Sequence, residues 1–120
     1  MHKVTIENIK KYIGQTVAIR VDQAIGSTYS GHGEKITYPI NYGFVPNTIS
    51  GDGAELDAYI LGVEDPLIEF EGECIAIIHR ENDDNDDKLV IVQKGNSFSD
   101  EEIIKLTHFQ EKFFEIKIWR

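Results

Sequence analysis

Two acidic groups in this 120-residue chain have the composition of a cation site: Asp52-Gly53-Ala54-Glu55-Leu56-Asp57, and Glu81-Asn82-Asp83-Asp84-Asn85-Asp86-Asp87. Gly51 and Gly53 allow a tight turn at the start of a strand, so Asp52 and Asp57 can face one pocket, one from the turn and one from the strand. Such a pair suits Mg²⁺, which prefers hard oxygen ligands, keeps several waters and is usually held by one or two carboxylates plus phosphate oxygens of a substrate. Plain turn chemistry, with the side chains bonded to local backbone, accounts for the same two residues. Neither group is an EF-hand, because the first lacks the acidic ladder of a calcium loop and the second has no glycine at its sixth position. The second reads first as a solvated loop joining two strands of a hairpin. Asp86 and Lys88, however, lead into the apolar run KLVIV, and a cation beside a carboxylate there could bind a phosphate held by a metal.

Charge narrows the partners. Asp and Glu number 21 against 12 Lys and Arg, a net charge of -9 that opposes binding to the phosphates of nucleic acid or anionic lipid. An anionic ligand would need metal ions to neutralise the carboxylates locally. No run approaches the roughly 18 apolar residues of a membrane helix, and MHKVTIENIK lacks the apolar stretch of a signal peptide. The expectation is a cytoplasmic protein with neither a nucleic-acid nor a membrane partner. The only cysteine, Cys74, lies in the run CIAII and reads as a buried, inert thiol.

The elements that must position these residues follow from period and punctuation. The length suits one domain over 1–120 with a single core. Thr5 as N-cap, Ile6, Ile9 and Ile13 at helical spacing, and Gly14 as stop predict a short helix over 6–13. Strict alternation predicts a strand over 16–22, with a loop over 26–33 after it. Further strands are predicted at 35–38, 56–63, 74–80 and 88–93. Ser99 and Glu102 form a capping box, and Ile103, Leu106, Phe109 and Phe113 continue one stripe, which predicts a helix over 100–114. Many short strands and one long terminal helix give an α+β domain, a small mostly antiparallel β-barrel of OB-like type with a short N-terminal and a longer C-terminal helix.

Ahead of the first acidic group lies Tyr38-Pro39-Ile40-Asn41-Tyr42-Gly43-Phe44-Val45-Pro46, where Pro39 and Gly43 fix the backbone and two tyrosines flank Asn41. The longer string YPINYGFVPNTISGDGAELDAYILG resembles the signature stretch of family I inorganic pyrophosphatases, which run Tyr-Pro, Asn-Tyr-Gly, then Asp-Gly-Asp-Pro-x-Asp into a strand. Similarity continues over 75–92, where that family has an Asp, a short acidic loop, a second Asp and, two residues on, a Lys before an apolar strand. The resemblance implies hydrolysis of pyrophosphate to two phosphates with several Mg²⁺ ions, in a protein of a kind that commonly forms homo-oligomers. It implies that Asp52 and Asp57 are metal ligands at the catalytic centre, that Asp86 is a further ligand, and that Glu81 stands in for another. It makes Lys88 and Tyr42 phosphate contacts.

The departures bear on activity. Ala54 occupies the place of the middle Asp, which in the family helps bind metal and deprotonate the attacking water. Glu55 is the adjacent carboxylate that could take over, although successive strand residues point to opposite faces. The section over 17–35 is abbreviated relative to the family, leaving Arg20, His32 and Lys35 as nearby basic candidates for the substrate. Phe113 and Phe114 take the place of a Tyr-Lys pair after His108-Phe109. His32 reads more simply as a solvated loop residue and His108 as packing. The expectation is a Mg²⁺-dependent inorganic pyrophosphatase of reduced or altered activity. Two alternatives stay open: a non-catalytic phosphate- or nucleotide-binding module, and a hydrolase of a larger diphosphate.

Overall fold

Alternation in the sequence becomes a closed sheet with two differently used faces. The structure, a computed structural model, describes residues 4–5, 9–31, 33–49, 54–81 and 86–120. In chain order the elements are β1 (Val4–Thr5), a short 3-10 helix (Ile9–Tyr12), β2 (Thr16–Gln23), β3 (Thr28–Gly31), β4 (Glu34–Thr37) and β5 (Asn41–Val45). They continue as β6 (Thr48–Ile49), β7 (Leu56–Leu61), β8 (Glu69–Arg80), β9 (Lys88–Val92), α1 (Asp100–Glu111) and β10 (Ile116–Trp119). Five strands pair in the order β8-β2-β5-β7-β9, and β9 returns to β8 to close the barrel, which is the expected α+β, OB-like architecture.

Every pairing around the barrel is antiparallel except β7 with β9. That parallel register sets Asp57 directly opposite Lys88, which brings the two sequence motifs together at the starts of neighbouring strands. The acidic run does join a hairpin, β8 to β9, as expected. β8 is long because it serves three neighbours: its first half pairs with β2, its middle with β9, and its end, Ile77–Arg80, with β10.

Gly43 is dictated by close approach, since a Cβ there would collide with the backbone carbonyl oxygen of Arg20. Beside it the β2–β5 register shifts between Val21 and Gln23, leaving Asp22 as the extra residue of a bulge. Bulges of this kind re-aim side chains and are common beside active sites.

Two buried clusters lie on opposite faces of the strands. One gathers Tyr38, Tyr42, Tyr59, Leu61, Ile78, Val90 and Val92 with Ile103 of α1, so it is the outer face that the helix covers. The other, with Val17, Ile19, Leu56, Ala58, Ile60, Cys74, Ile77, Leu89 and Ile91, therefore fills the interior. Helix α1 begins as its sequence requires, with the Ser99 hydroxyl accepting from the Glu102 N–H and the Glu102 carboxylate accepting from the Ser99 N–H.

Four expectations need correction. The N-terminal helix is a single 3-10 segment within the described residues, and residues 6–8 of the expected span lie outside them. The loop expected over 26–33 contains β3, which pairs with β4 in a separate hairpin, Thr28 opposite Thr37 and Gly31 opposite Glu34. Its glycine-rich flanks look like punctuation, while the strand itself is only four residues long. The residues 41–45, read as a motif, form a central strand of the barrel, and 116–119 form a strand on β8. Finally α1 ends at Glu111, not at 114, because the chain turns at Phe113 and Phe114 to lay Ile116 opposite Arg80.

Candidate active site

Lys88 is the hub. It enters β9 almost fully buried, and its ammonium donates to Asp57 Oδ2 at 2.9 Å and to Asp86 Oδ1 at 2.8 Å. The Tyr42 ring lies 5.7 Å from the same nitrogen. Asp86 then bridges onward, its Oδ2 accepting from Arg80 Nη1 at 2.6 Å. Arg80 makes a second, two-pronged pairing with Glu111, Nε to Oε1 at 2.9 Å and Nη2 to Oε2 at 2.7 Å. The Tyr59 hydroxyl donates to Glu111 Oε2 at 2.6 Å and accepts from Gln110 Nε2 at 2.7 Å, and Tyr38 donates to Gln110 Oε1 at 2.8 Å.

These side chains wall a polar cavity of about 310 Å³ lined by Tyr29, Tyr38, Tyr42, Asp57, Arg80, Asp86, Lys88, Gln110 and Phe114. A larger groove of about 670 Å³ runs beside the 3-10 helix, but its described lining, including Lys11, Tyr12, Val17, Val45 and Pro46, holds no carboxylate.

The electrostatics follow from burial and neighbours. Desolvation opposes the Arg80 charge, but hydrogen bonding to Glu111, the Glu111 charge and then Asp86 outweigh it and hold the guanidinium protonated above its ordinary range. Burial, followed by the Asp57 charge, pushes the Tyr42 hydroxyl well up, so it stays protonated and donates to Asp57. Tyr59 is raised in the same way by burial and by Glu111, and Tyr38 by burial and Tyr29. Asp22, largely facing solvent, is still raised, first by partial desolvation and then by the charges of Asp57 and Glu55. No buried side-chain N or O among the described residues lacks a hydrogen-bond partner.

The sequence-derived candidates divide accordingly. Asp57, Asp86, Lys88 and Tyr42 come together in one cavity wall. Arg20 and Lys35 are exposed on β2 and β4, and neither is part of that wall. Glu81 is turned toward β10, 3.4 Å from Lys117 Nζ, and Glu55 is half-buried outside the cavity lining but close enough to act on Asp22. Asp52 and His32 lie outside the described residues, and His108 is an exposed residue in the last turn of α1. Three residues escaped sequence reasoning. Arg80 and Glu111 carry no motif signal, although a lone Arg closing the run CIAIIH is one polar side chain in an apolar strand. Asp22 is aimed only by the bulge, which the period-two pattern hides.

The donor set fits a hard divalent cation in part. Among the described residues no group of three or more His, Cys, Asp or Glu is arranged to hold a metal. What they offer is the carboxylate pair Asp57 and Asp86 at a polar cavity, the number with which Mg²⁺ is commonly held when phosphate oxygens complete its shell.

The known proteins similar to this chain point one way. Residues 6–119 match the family described as inorganic pyrophosphatase. The chain is 29% identical over 126 residues to an inorganic pyrophosphatase of Saccharolobus solfataricus, covering 92% of this chain and 69% of that protein. It is 30% identical over 93 residues to one of Xylella fastidiosa, covering 71% of this chain and 51% of the other. The crystal structure of inorganic pyrophosphatase from Ehrlichia chaffeensis shares the fold, with a TM-score of 0.65 at 16% identity over 90% of this chain and 86% of that one.

Proposed function

Since the chain belongs to the inorganic pyrophosphatase family, we propose that it hydrolyses pyrophosphate to two phosphates with Mg²⁺, in the cytoplasm, at a rate reduced by Ala54. The observation that carries this reading is the cluster Asp57–Lys88–Asp86 in the wall of a polar cavity, two carboxylates and a cation from two motifs placed in register. Asp57 and Asp86 would hold Mg²⁺, with Asp52 of the same sequence motif as a third carboxylate. When bound, Mg²⁺ would lower the pKa of the attacking water and neutralise the charge that develops on the phosphoryl and leaving-group oxygens.

The chain's own residues do the rest. Lys88 has its ammonium fixed between two carboxylates, so it presents a preorganised positive charge to a phosphate oxygen with little ordering cost. Tyr42, kept protonated by burial, offers a hydroxyl donor beside it. A methyl group at Ala54 accepts no proton, and Glu55 and Asp22 are the carboxylates whose charges act on the same corner. Losing a general base typically costs about 10²–10⁴ in rate, which leaves slow but measurable turnover.

Phosphate release from pyrophosphate by wild type and by Asp57→Asn, with Mg²⁺ and with EDTA, tests the proposal. Release that requires both Mg²⁺ and Asp57 supports it, and wild type no faster than Asp57→Asn removes it. One observation favours the binding-module reading: Lys88 and Arg80 already cancel two of the three charges on Asp57, Asp86 and Glu111. That reading expects calorimetric heat with Mg²⁺ and pyrophosphate but no phosphate release. Faster release from nucleoside diphosphates than from pyrophosphate would instead favour the larger-diphosphate reading.

A further inference from the structure

Arg80 belongs to neither motif, yet it is buried in the wall of the same cavity. We infer that Arg80 is a substrate-binding residue, its guanidinium gripping a phosphate oxygen together with Lys88, and that Glu111 is the residue that positions it. The inference rests on the phosphoanhydride reading of this site.

The guanidinium is fixed on one edge and one face. Glu111 takes Nε and Nη2, which sets the plane, and the Phe114 ring backs it with the guanidinium carbon 3.8 Å from the ring centroid. The remaining edge, Nη1, meets Asp86, a carboxylate that also lines the cavity and also holds Lys88. Two cations of different chemistry thus converge on one carboxylate oxygen pair. A planar fork whose Nε and Nη2 edge is held in place keeps Nη1 at the cavity wall, where a tetrahedral oxyanion can share it with Asp86.

Glu111 makes little sense as a helix residue. It is buried at the C-terminal end of α1, where the helix's own partial negative charge disfavours a carboxylate. Its three contacts are Arg80 through both oxygens and the Tyr59 hydroxyl, so it is built to hold a guanidinium in place. The helix sends no cation of its own to the cavity, since Lys112 is turned outward to Glu34 at 3.1 Å. Among the described lining residues, Lys88 and Arg80 are the cations, and one comes from each end of the acidic loop.

The test uses the wild-type chain with arginine labelled by ¹⁵N, in which Arg20, Arg80 and Arg120 are the three arginines. Methylenediphosphonate, a diphosphonate that cannot be hydrolysed, is titrated with Mg²⁺ while the guanidinium resonances are followed by NMR and binding is followed by calorimetry. The expected result is a saturable shift of the Arg80 signals with those of Arg20 and Arg120 unmoved. Arg80→Lys, which keeps the charge and loses the fork, should weaken diphosphonate binding about 10- to 100-fold. Binding heat with no Arg80 shift, or with full affinity in folded Arg80→Lys, overturns the role of Arg80 and leaves the pyrophosphatase reading standing. Absence of both binding and phosphate release overturns the two together. The NMR titration decides the matter even if Arg80→Lys fails to fold.

Discussion

The interior of the barrel and the face under α1 are built from the same strands and hold opposite kinds of residues. Along β7, Leu56, Ala58 and Ile60 turn inward while Asp57 and Tyr59 turn out; along β9, Leu89 and Ile91 turn inward while Lys88 turns out. The interior cluster is aliphatic apart from Cys74, whereas the outer face buries Arg80, Lys88, Gln110 and Glu111. Period-two geometry lets one strand serve packing on one side and chemistry on the other. The helix makes the second role affordable, because its Gln110 and Glu111 bond the Tyr38 and Tyr59 hydroxyls of the sheet and Glu111 pairs with the buried Arg80.

That contrast can be broken at four places. The largest effect is expected from Lys88→Met, which leaves Asp57 and Asp86 without their shared cation: phosphate release should fall about 10²–10³-fold, and a loss of less than tenfold would move the chemistry away from this face. Ile60→Ala opens a cavity in the interior and should cost about 2–5 kcal/mol in urea unfolding, with turnover per folded molecule unchanged. Tyr59→Phe crosses the division, since it sits on the outer face but serves stability; loss of its bonds to Glu111 and Gln110 should cost about 1–3 kcal/mol.

The smallest effect concerns pH and the interior. Burial pushes the Cys74 thiol from 9.0 up to about 11, so the folded state holds that proton more tightly than the unfolded chain. Its contribution to stability is fully present below pH 9 and is lost as pH rises toward 11. The stability penalty of Cys74→Ala should therefore shrink across that window in denaturant titrations at stepped pH. A penalty that stays constant would mean the thiol is not shielded.

Much of this arrangement could be read before any coordinates, and the exceptions have physical causes. The capping box at Ser99 and the strands starting near Thr16, Leu56 and Lys88 follow from local chemistry and spacing, whereas the grouping of Asp57, Asp86, Lys88 and Tyr42 is implied by the family resemblance of the motifs that carry them. What local pattern could not supply is pairing. The parallel register of β7 and β9 decides that Asp57 meets Lys88, and nothing in either strand's own sequence states it. Arg80 and Glu111 are 31 positions apart and are joined only when α1 folds over β8. Arg20 and Lys35 were attractive for their charge, but β2 and β4 leave them exposed and away from the cavity. Asp52 lies outside the described residues, so the geometry of that corner rests on Asp57 and its neighbours.

The most direct test of the proposed chemistry restores the missing carboxylate. Phosphate release from pyrophosphate is measured for wild type and Ala54→Asp, each with Mg²⁺ and with EDTA. The expected result is slow, Mg²⁺-dependent release by wild type and release faster by about 10²–10⁴ in Ala54→Asp, with both abolished by EDTA. Release by neither protein, or release that EDTA leaves unchanged, would contradict a metal-dependent pyrophosphatase site on this face.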